Sequence, residues 1–227
     1  MKDMNFKILI PAYNSERYIG DLFHKFAEMD LLCKVVVVDD GSKDNTVKIC
    51  NDNEVTLISY KKNGGKGYAL KQGFKYMIEN NIEFFLTIDS DLQHDVKFIP
   101  EFIIKYHDTN ADIIVGDRLG NTTTMPIERV FSNRTTSFIV SQLAKCKIPD
   151  SQSGYRLIKT EVVKNIELES DKFEMESEIL IKAGRKGYRI ESIPISALYE
   201  GAHSSISVFR DTVRFIRLVF RSIFVKK

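Results

Sequence analysis

The chain has no C-x-x-C pair, and its three cysteines, Cys33, Cys50 and Cys146, lie far apart. An odd, scattered set excludes a disulfide framework and a cysteine-based zinc site, and it points to the reducing cytosol. No run of about 18 apolar residues occurs, so no membrane-spanning helix is expected. The first residues lead almost directly into Ile8-Leu9-Ile10, and no signal peptide is expected. Neither G-x-x-x-x-G-K-[ST] nor G-x-G-x-x-G is present, which removes the P-loop and the dinucleotide fingerprint. Net charge is only +2, so no global field argues for nucleic acid as a partner. Internal repeats, low-complexity segments and a clear linker are also missing. What remains is ordinary for a globular protein: 227 residues, 43% hydrophobic and 28% charged. That is enough for one domain with a large core.

The most informative stretch runs from Phe84 to Asp95. Phe84 to Ile88 is a continuous apolar run, which reads as a strand buried on both faces. Asp89, Ser90 and Asp91 stand at its carboxyl end. If the backbone is still extended there, the period of two puts both carboxylates on one side. Neighbouring carboxylates repel, and a hard divalent cation, Mg²⁺ or Mn²⁺, resolves the conflict. Gln93 offers a further neutral oxygen. Such cations bind through a few carboxylates plus substrate phosphates, so a nucleoside diphosphate is implied. The plainer alternative is a solvated acidic turn.

Strand and helix patterns alternate through residue 118. Apolar strands are read at Phe6–Ile10, Val35–Val38, Val55–Ser59, Phe84–Ile88 and Asp112–Gly116, with helical periodicity between them. The expected fold is α/β, a doubly wound and mostly parallel sheet. Ligands of such sheets bind beyond the carboxyl ends of the strands, and every polar motif falls at one of those ends. Beyond that point, 126–145 reads as an amphipathic helix, 150–156 as a polar turn, 173–183 as a helix and 188–195 as a strand.

Each remaining motif has two readings. Asp39 and Asp40 accept hydrogen bonds from a base or ribose, or one of them caps a turn with Gly41 and Ser42. Asn63 to Gly67 brings flexible backbone N–H groups and Lys66 to a phosphate, or is a mobile surface loop. Arg118 neutralises a phosphate, or pairs with a carboxylate. Asp150, Ser153, Gly154, Tyr155 and Arg156 line an acceptor pocket, or form a polar loop. One of Glu174, Glu176 and Glu178 faces the site, while at least two are expected on a solvated helix face.

Taken together, these motifs resemble the family 2 inverting glycosyltransferases of GT-A fold. The resemblance rests on Ile10-Pro11-Ala12-Tyr13-Asn14, Val38-Asp39-Asp40-Gly41-Ser42, Asn63-x-Gly65-Lys66-Gly67 and Asp89-x-Asp91-Leu92-Gln93-His94, in that order. Within the family, Gly116-x-Arg118, Ser153-Gly154-Tyr155-Arg156 and a helix bearing Glu178 are similar to the dolichyl- or polyprenyl-phosphate branch. The resemblance implies a Rossmann-like GT-A domain over 1–206, with a nucleotide-binding half (1–118) and an acceptor half (119–206). It implies that Pro11, Tyr13, Val38 and Asp40 contact the nucleoside. Asp89, Asp91 and Gln93 would hold the metal on the diphosphate, with Arg118 close by. Two departures stand out: Ser15 where relatives often carry Glu, and Tyr199 to Ser205 in place of a late basic loop. There His203 is the residue left for a phosphate contact, beside Ser153 and Arg156.

The implied reaction is metal-dependent, inverting transfer of a hexose from a nucleotide sugar of GDP-mannose or UDP-glucose type to a polyprenyl phosphate. Asp91 is its central catalytic group. A lipid phosphate is already anionic and needs no strong base. A glycan hydroxyl, as in cell-surface polysaccharide synthesis, needs one, and Asp150 and Glu178 are the candidates. A nucleotidyltransferase and a non-catalytic nucleotide-sugar-binding scaffold are the rival classes. The segment 207–227 places Arg210, Arg214, Arg217 and Arg221 on one stripe of an apolar helix. Such a helix lies in an anionic membrane interface or docks on the domain. The expected location is cytoplasmic and peripheral, on the inner face of the plasma membrane.

Overall fold

The structure is a computed structural model that describes residues 4–120, 122, 125–196 and 208–224. The fold is α/β. One seven-stranded sheet runs in the order β3-β2-β1-β4-β6-β5-β7. Its strands are β1 (Phe6–Ala12), β2 (Val35–Asp39), β3 (Thr56–Ser59), β4 (Phe84–Thr87), β5 (Ile113–Asp117), β6 (Arg156–Lys159) and β7 (Ile190–Pro194). β6 alone runs against its neighbours, β4 and β5. The helices are α1 (Glu16–Glu28), α2 (Thr46–Asp52), α3 (Lys66–Glu79), α4 (Ile99–Thr109), α5 (Ile127–Ala144), α6 (Thr160–Asn165), α7 (Glu174–Arg185) and α8 (Val208–Phe224).

Strand alternation divides the core in two. Phe6, Ile8 and Ile10 of β1 face α1 and α4, with Phe84 and Leu86 of β4. Leu9, Val36, Val38 and Phe85 face the other way, against α3 and, further along the sheet, α5 and α7. β2 is buried at every position, as a strand covered on both faces must be. α1 buries Ile19, Leu22, Phe23 and Phe26, the spacing of one helix face.

The chain reverses its direction of growth across the sheet at β1. β2 and β3 lie on one side of it and β4 on the other. A crevice opens at such a switch point, outside the carboxyl ends of β1 and β4. Asp89 and Asp91 stand there. β4 ends at Thr87, however, and the following residues turn, with Leu92 at φ 62°. The two carboxylates are therefore brought together by a turn and not by extended-strand alternation.

Two elements depart from expectation. The stretch 150–156 is not simply a loop, because Arg156 opens β6, the antiparallel strand that joins β4 to β5. Its side chain is 1% exposed. The guanidinium donates to the carbonyls of Ser153 (2.8 Å), Glu176 (2.6 Å) and Ser151 (2.9 Å). Arg156 is thus a buried cross-tie and not a phosphate ligand, and Ser153, fully buried, lines no open acceptor pocket. Second, α5 is not amphipathic in the expected sense. It buries Ser137, Val140 and Ala144 and leaves Ile127, Phe131 and Phe138 exposed.

Replacing Arg156 with Met removes the guanidinium from three buried carbonyls and leaves those of Ser151 and Ser153 without this donor. The expected cost is about 3 kcal/mol of unfolding free energy or more, measured by urea denaturation. A loss below about 1 kcal/mol would contradict the cross-tie.

Candidate active site

The loops after β1, β2 and β4 are stitched together at one end of the sheet. The Asn14 amide donates to Ser42 Oγ (2.8 Å), and Asn14 Oδ1 accepts from the Lys43 amide (2.8 Å). Ser15 Oγ lies 2.8 Å from Ser90 Oγ. Asp40 accepts from the amides of Gly64 (2.8 Å) and Gly65 (2.6 Å), which fixes the glycine-rich loop at the head of α3. Gly65 sits at φ +103°, a conformation that side chains resist. Lys172 closes the loop from the other side through the Gly64 carbonyl. The segment is an anchored loop and not a mobile one.

That anchoring delivers Lys66. Its ammonium lies 2.6 Å from Asp89 Oδ1 and 3.0 Å from Glu176 Oε1. Burial works to discharge the lysine, but the two carboxylates outweigh it and hold its pKa above the ordinary range. For Asp89, burial raises the pKa, while Lys66, His94 and Arg118 bring it below the usual value. Asp91 goes the other way: burial and the Asp89 charge push it up. Behind this pair, a Cβ on Gly154 would stand 2.6 Å from Asp89 Oδ2, so only glycine leaves the carboxylate its place.

These groups are one ammonium against three carboxylates, Asp89, Asp91 and Glu176. Arg118 also acts on Asp89, and the buried Arg156 guanidinium acts on Glu176 and Asp89. A donor set of paired carboxylates, one with its pKa raised by burial and by its neighbour's charge, fits a hard divalent cation. Gln93 contributes its backbone N–H to Asp91 Oδ1 (3.0 Å). Among the described residues, no cluster of three or more His, Cys, Asp or Glu is gathered around a cation position.

Other expected site residues have different partners. Asp39 accepts from the Ser42 amide and from Ser59 Oγ (2.9 Å), so it caps a turn. Asp40 holds the loop in place of the expected base contact. The Val38 side chain lies in the core, leaving only its backbone for a nucleoside. Pro11 is half-buried and Tyr13 exposed, at the open end of β1. Arg118 grips Asp150 through Nε (2.7 Å) and Nη2 (3.0 Å), the carboxylate pairing foreseen as its alternative. Asp150 is fully buried; burial raises its pKa, but hydrogen bonds from Arg118 bring it below the ordinary range. Glu178, also fully buried, accepts from the Glu169 (3.1 Å) and Ser170 (2.8 Å) amides. It also pairs with Lys182 (2.8 Å) and Arg221 (3.2 Å). Neither Asp150 nor Glu178 is free to act as a base. His203 lies outside the described residues.

Glu176 was the missed residue. By spacing, Glu174 and Glu178 share a helix face and Glu176 lies off it. The structure instead buries Glu176 and Glu178, so the expectation of a solvated face for two of the three is overturned. The available signal was Lys66, a cation in a glycine-rich loop that needs a counter-ion.

His94 is 2% exposed, packs its ring 5.3 Å from that of Tyr155, and has no hydrogen-bond partner at Nδ1 among the described residues. Burial and the Arg118 charge lower its pKa from 6.5 to about 4. The unfolded chain therefore takes up this proton first as pH falls. Its stabilising effect is complete above pH 6.5 and is lost towards pH 4, by about 3 kcal/mol. His94→Phe should flatten the stability curve over this window in urea titrations. An unchanged slope would contradict a buried neutral imidazole.

Comparison with known proteins agrees with this geometry. The family model for glycosyl transferase family 2 matches residues 7–167. A UDP-N-acetylglucosamine–dolichyl-phosphate N-acetylglucosaminyltransferase of Methanococcus voltae is 30% identical over 221 residues, 88% of this chain and 88% of its own. An uncharacterised protein of Methanocaldococcus jannaschii is 32% identical over 96% of this chain and 99% of its own length. The glucosyl-3-phosphoglycerate synthase of Mycobacterium tuberculosis was solved with Mn²⁺, UDP and glucosyl-3-phosphoglycerate. It shares the fold at a TM-score of 0.77 and 16% identity, over 100% of this chain and 82% of that one. The seven-stranded sheet is thus that of the GT-A glycosyltransferases, and by sequence and fold the chain belongs to glycosyltransferase family 2.

Proposed function

We propose that this chain transfers a sugar from a nucleoside-diphosphate sugar to a polyprenyl phosphate, with inversion, in a reaction that depends on Mg²⁺ or Mn²⁺. The observation that carries the reading is the Lys66–Asp89–Glu176 ion cluster at the β1/β4 switch point, with Asp91 beside it, its pKa raised by burial and by the Asp89 charge. Asp89 and Asp91, with Gln93 adjacent, are the residues that would hold the metal, and it would offset charge on the departing diphosphate. Lys66 adds a fixed positive charge at the same place, in a setting organised before the substrate arrives. The loop fixed by Asp40 keeps the Lys66 ammonium from swinging into solvent. Tyr13 and Pro11, at the open end of β1, are the surfaces offered to the nucleoside.

The choice of acceptor follows from the carboxylates. A hydroxyl acceptor needs a protein base, whereas a phosphate oxygen attacks as an anion. Asp150 and Glu178 are both committed to cations and backbone amides, and that supports the phosphate. The relative whose name includes dolichyl phosphate supports it as well. The same name places UDP-N-acetylglucosamine beside UDP-glucose and GDP-mannose among the donors to try. No described helix is long and apolar enough to cross a membrane. A protein of this kind would meet its lipid acceptor from the cytoplasmic side as a peripheral protein.

The experiment is to incubate the protein with each donor, dolichyl phosphate and Mn²⁺ and to follow lipid-linked sugar. Asp91→Ala should lower turnover by about a hundredfold or more. Normal turnover by that variant, or transfer only to glycan hydroxyls, would overturn the reading.

A further inference from the structure

We infer that α5 and α8 together form a docking face for an anionic lipid bilayer, set beside the active site. The proposal rests on the reading above only for what the bilayer supplies, the phosphate-bearing acceptor.

The two helices touch each other, and both pack on α7. α8 is fastened through Leu218, which is 3% exposed, through Phe215, and through Arg221 to Glu169 and Glu178. Its other side carries Ile216, Phe220, Ile223 and Phe224, all exposed, at the spacing of one helix face. On α5, Ile127, Phe131 and Phe138 follow at i, i+4 and i+11, again one face, with the exposed Arg134 between the phenylalanines. Phe131 is 75% and Phe224 74% exposed, far more than a water-facing surface needs. Neither helix has a covering element over these side chains among the described residues.

Charge selects the occupant. Arg134 on α5 and Arg210 and Arg217 on α8 are exposed beside the apolar stripes. A second copy of the same face would bring like charges together, which disfavours a symmetric dimer. Anionic headgroups above an apolar layer complement both features.

Position gives the face its purpose. α5 begins just beyond the loop that leaves the carboxyl end of β5 at Arg118. The last turns of α8 reach Ser170 through Arg221 (3.1 Å), and the neighbouring Asp171 carbonyl accepts from the Tyr68 amide (2.9 Å), in the first turn of α3. The apolar faces thus flank the same end of the sheet as Lys66. A lipid phosphate lies at headgroup level, the depth at which such helices rest.

The chain has no tryptophan, so a single one reports its own surroundings. Phe131→Trp in the full-length protein should show blue-shifted emission with vesicles containing phosphatidylglycerol, and little with phosphatidylcholine alone. Ile104→Trp, on α4 across the sheet, should show no shift. The double variant Phe131→Glu, Phe220→Glu should keep its thermal midpoint and bind such vesicles roughly tenfold less. No shift at position 131, an equal shift at 104, or self-association in place of vesicle binding would overturn the proposal. Transfer to a detergent-dispersed, short-chain prenyl phosphate separates the two readings. Transfer without vesicle binding sinks this inference alone, and vesicle binding without transfer sinks the proposed reaction alone.

Discussion

A single ammonium group draws three distant parts of the chain to one point. Lys66 comes from the first turn of α3, Asp89 from the segment after β4 and Glu176 from the first turn of α7, with Lys66 within 3.0 Å of both carboxylates. A half-buried cluster of this kind contributes little net stability, since desolvation offsets most of the attraction. Its consequence is placement. Glu176 is held by Lys66 at its side chain and by Arg156 at its carbonyl, so the antiparallel strand β6 and helix α7 are registered against the catalytic loops. Burial and the Asp89 charge keep the Asp91 pKa raised, so a cation placed between the two carboxylates would be favoured. That is what a site for a diphosphate leaving group requires.

The fold of residues 6–118 was largely legible in the chain. Its strands are continuous apolar runs, its connections are helical, and in a parallel sheet the polar residues after each strand must share one edge. Local chemistry offered a turn cap at Asp39, which the structure has, and put Lys66 in a glycine-rich loop at the same end of the sheet. What could not be read was the partner of each charge. Arg118 and Asp150 are 32 residues apart, and Lys66 and Glu176 more than 100. Pairings at that separation leave no periodic trace. The same limit hid β6. The polar stretch 150–156 reads as a turn, and the strand that starts at its last residue is set by pairing with β4 and β5 and by burial of Leu157 and Ile158.

Helix α5 shows the opposite failure. Its periodicity suggested an apolar face turned inward, yet the buried positions are Ser137, Val140 and Ala144, with Ala144 close against Gly184 of α7. The large side chains are left outside. Periodicity identifies a face and cannot say which medium meets it. The basic C-terminal helix raised the same question, membrane or domain, and α8 serves both sides of it. One face docks on the core through Leu218, and the other is apolar and exposed.

The central claim is that Asp89 and Asp91 together hold a cation shared with a nucleotide diphosphate. Calorimetric titration of UDP and GDP into the protein, with and without Mn²⁺, tests it without reference to any acceptor. The account predicts that Mn²⁺ tightens binding of one nucleotide by about tenfold or more, and that Asp91→Asn removes the gain. Equal affinity with and without the metal, or an undiminished gain in the variant, would contradict it.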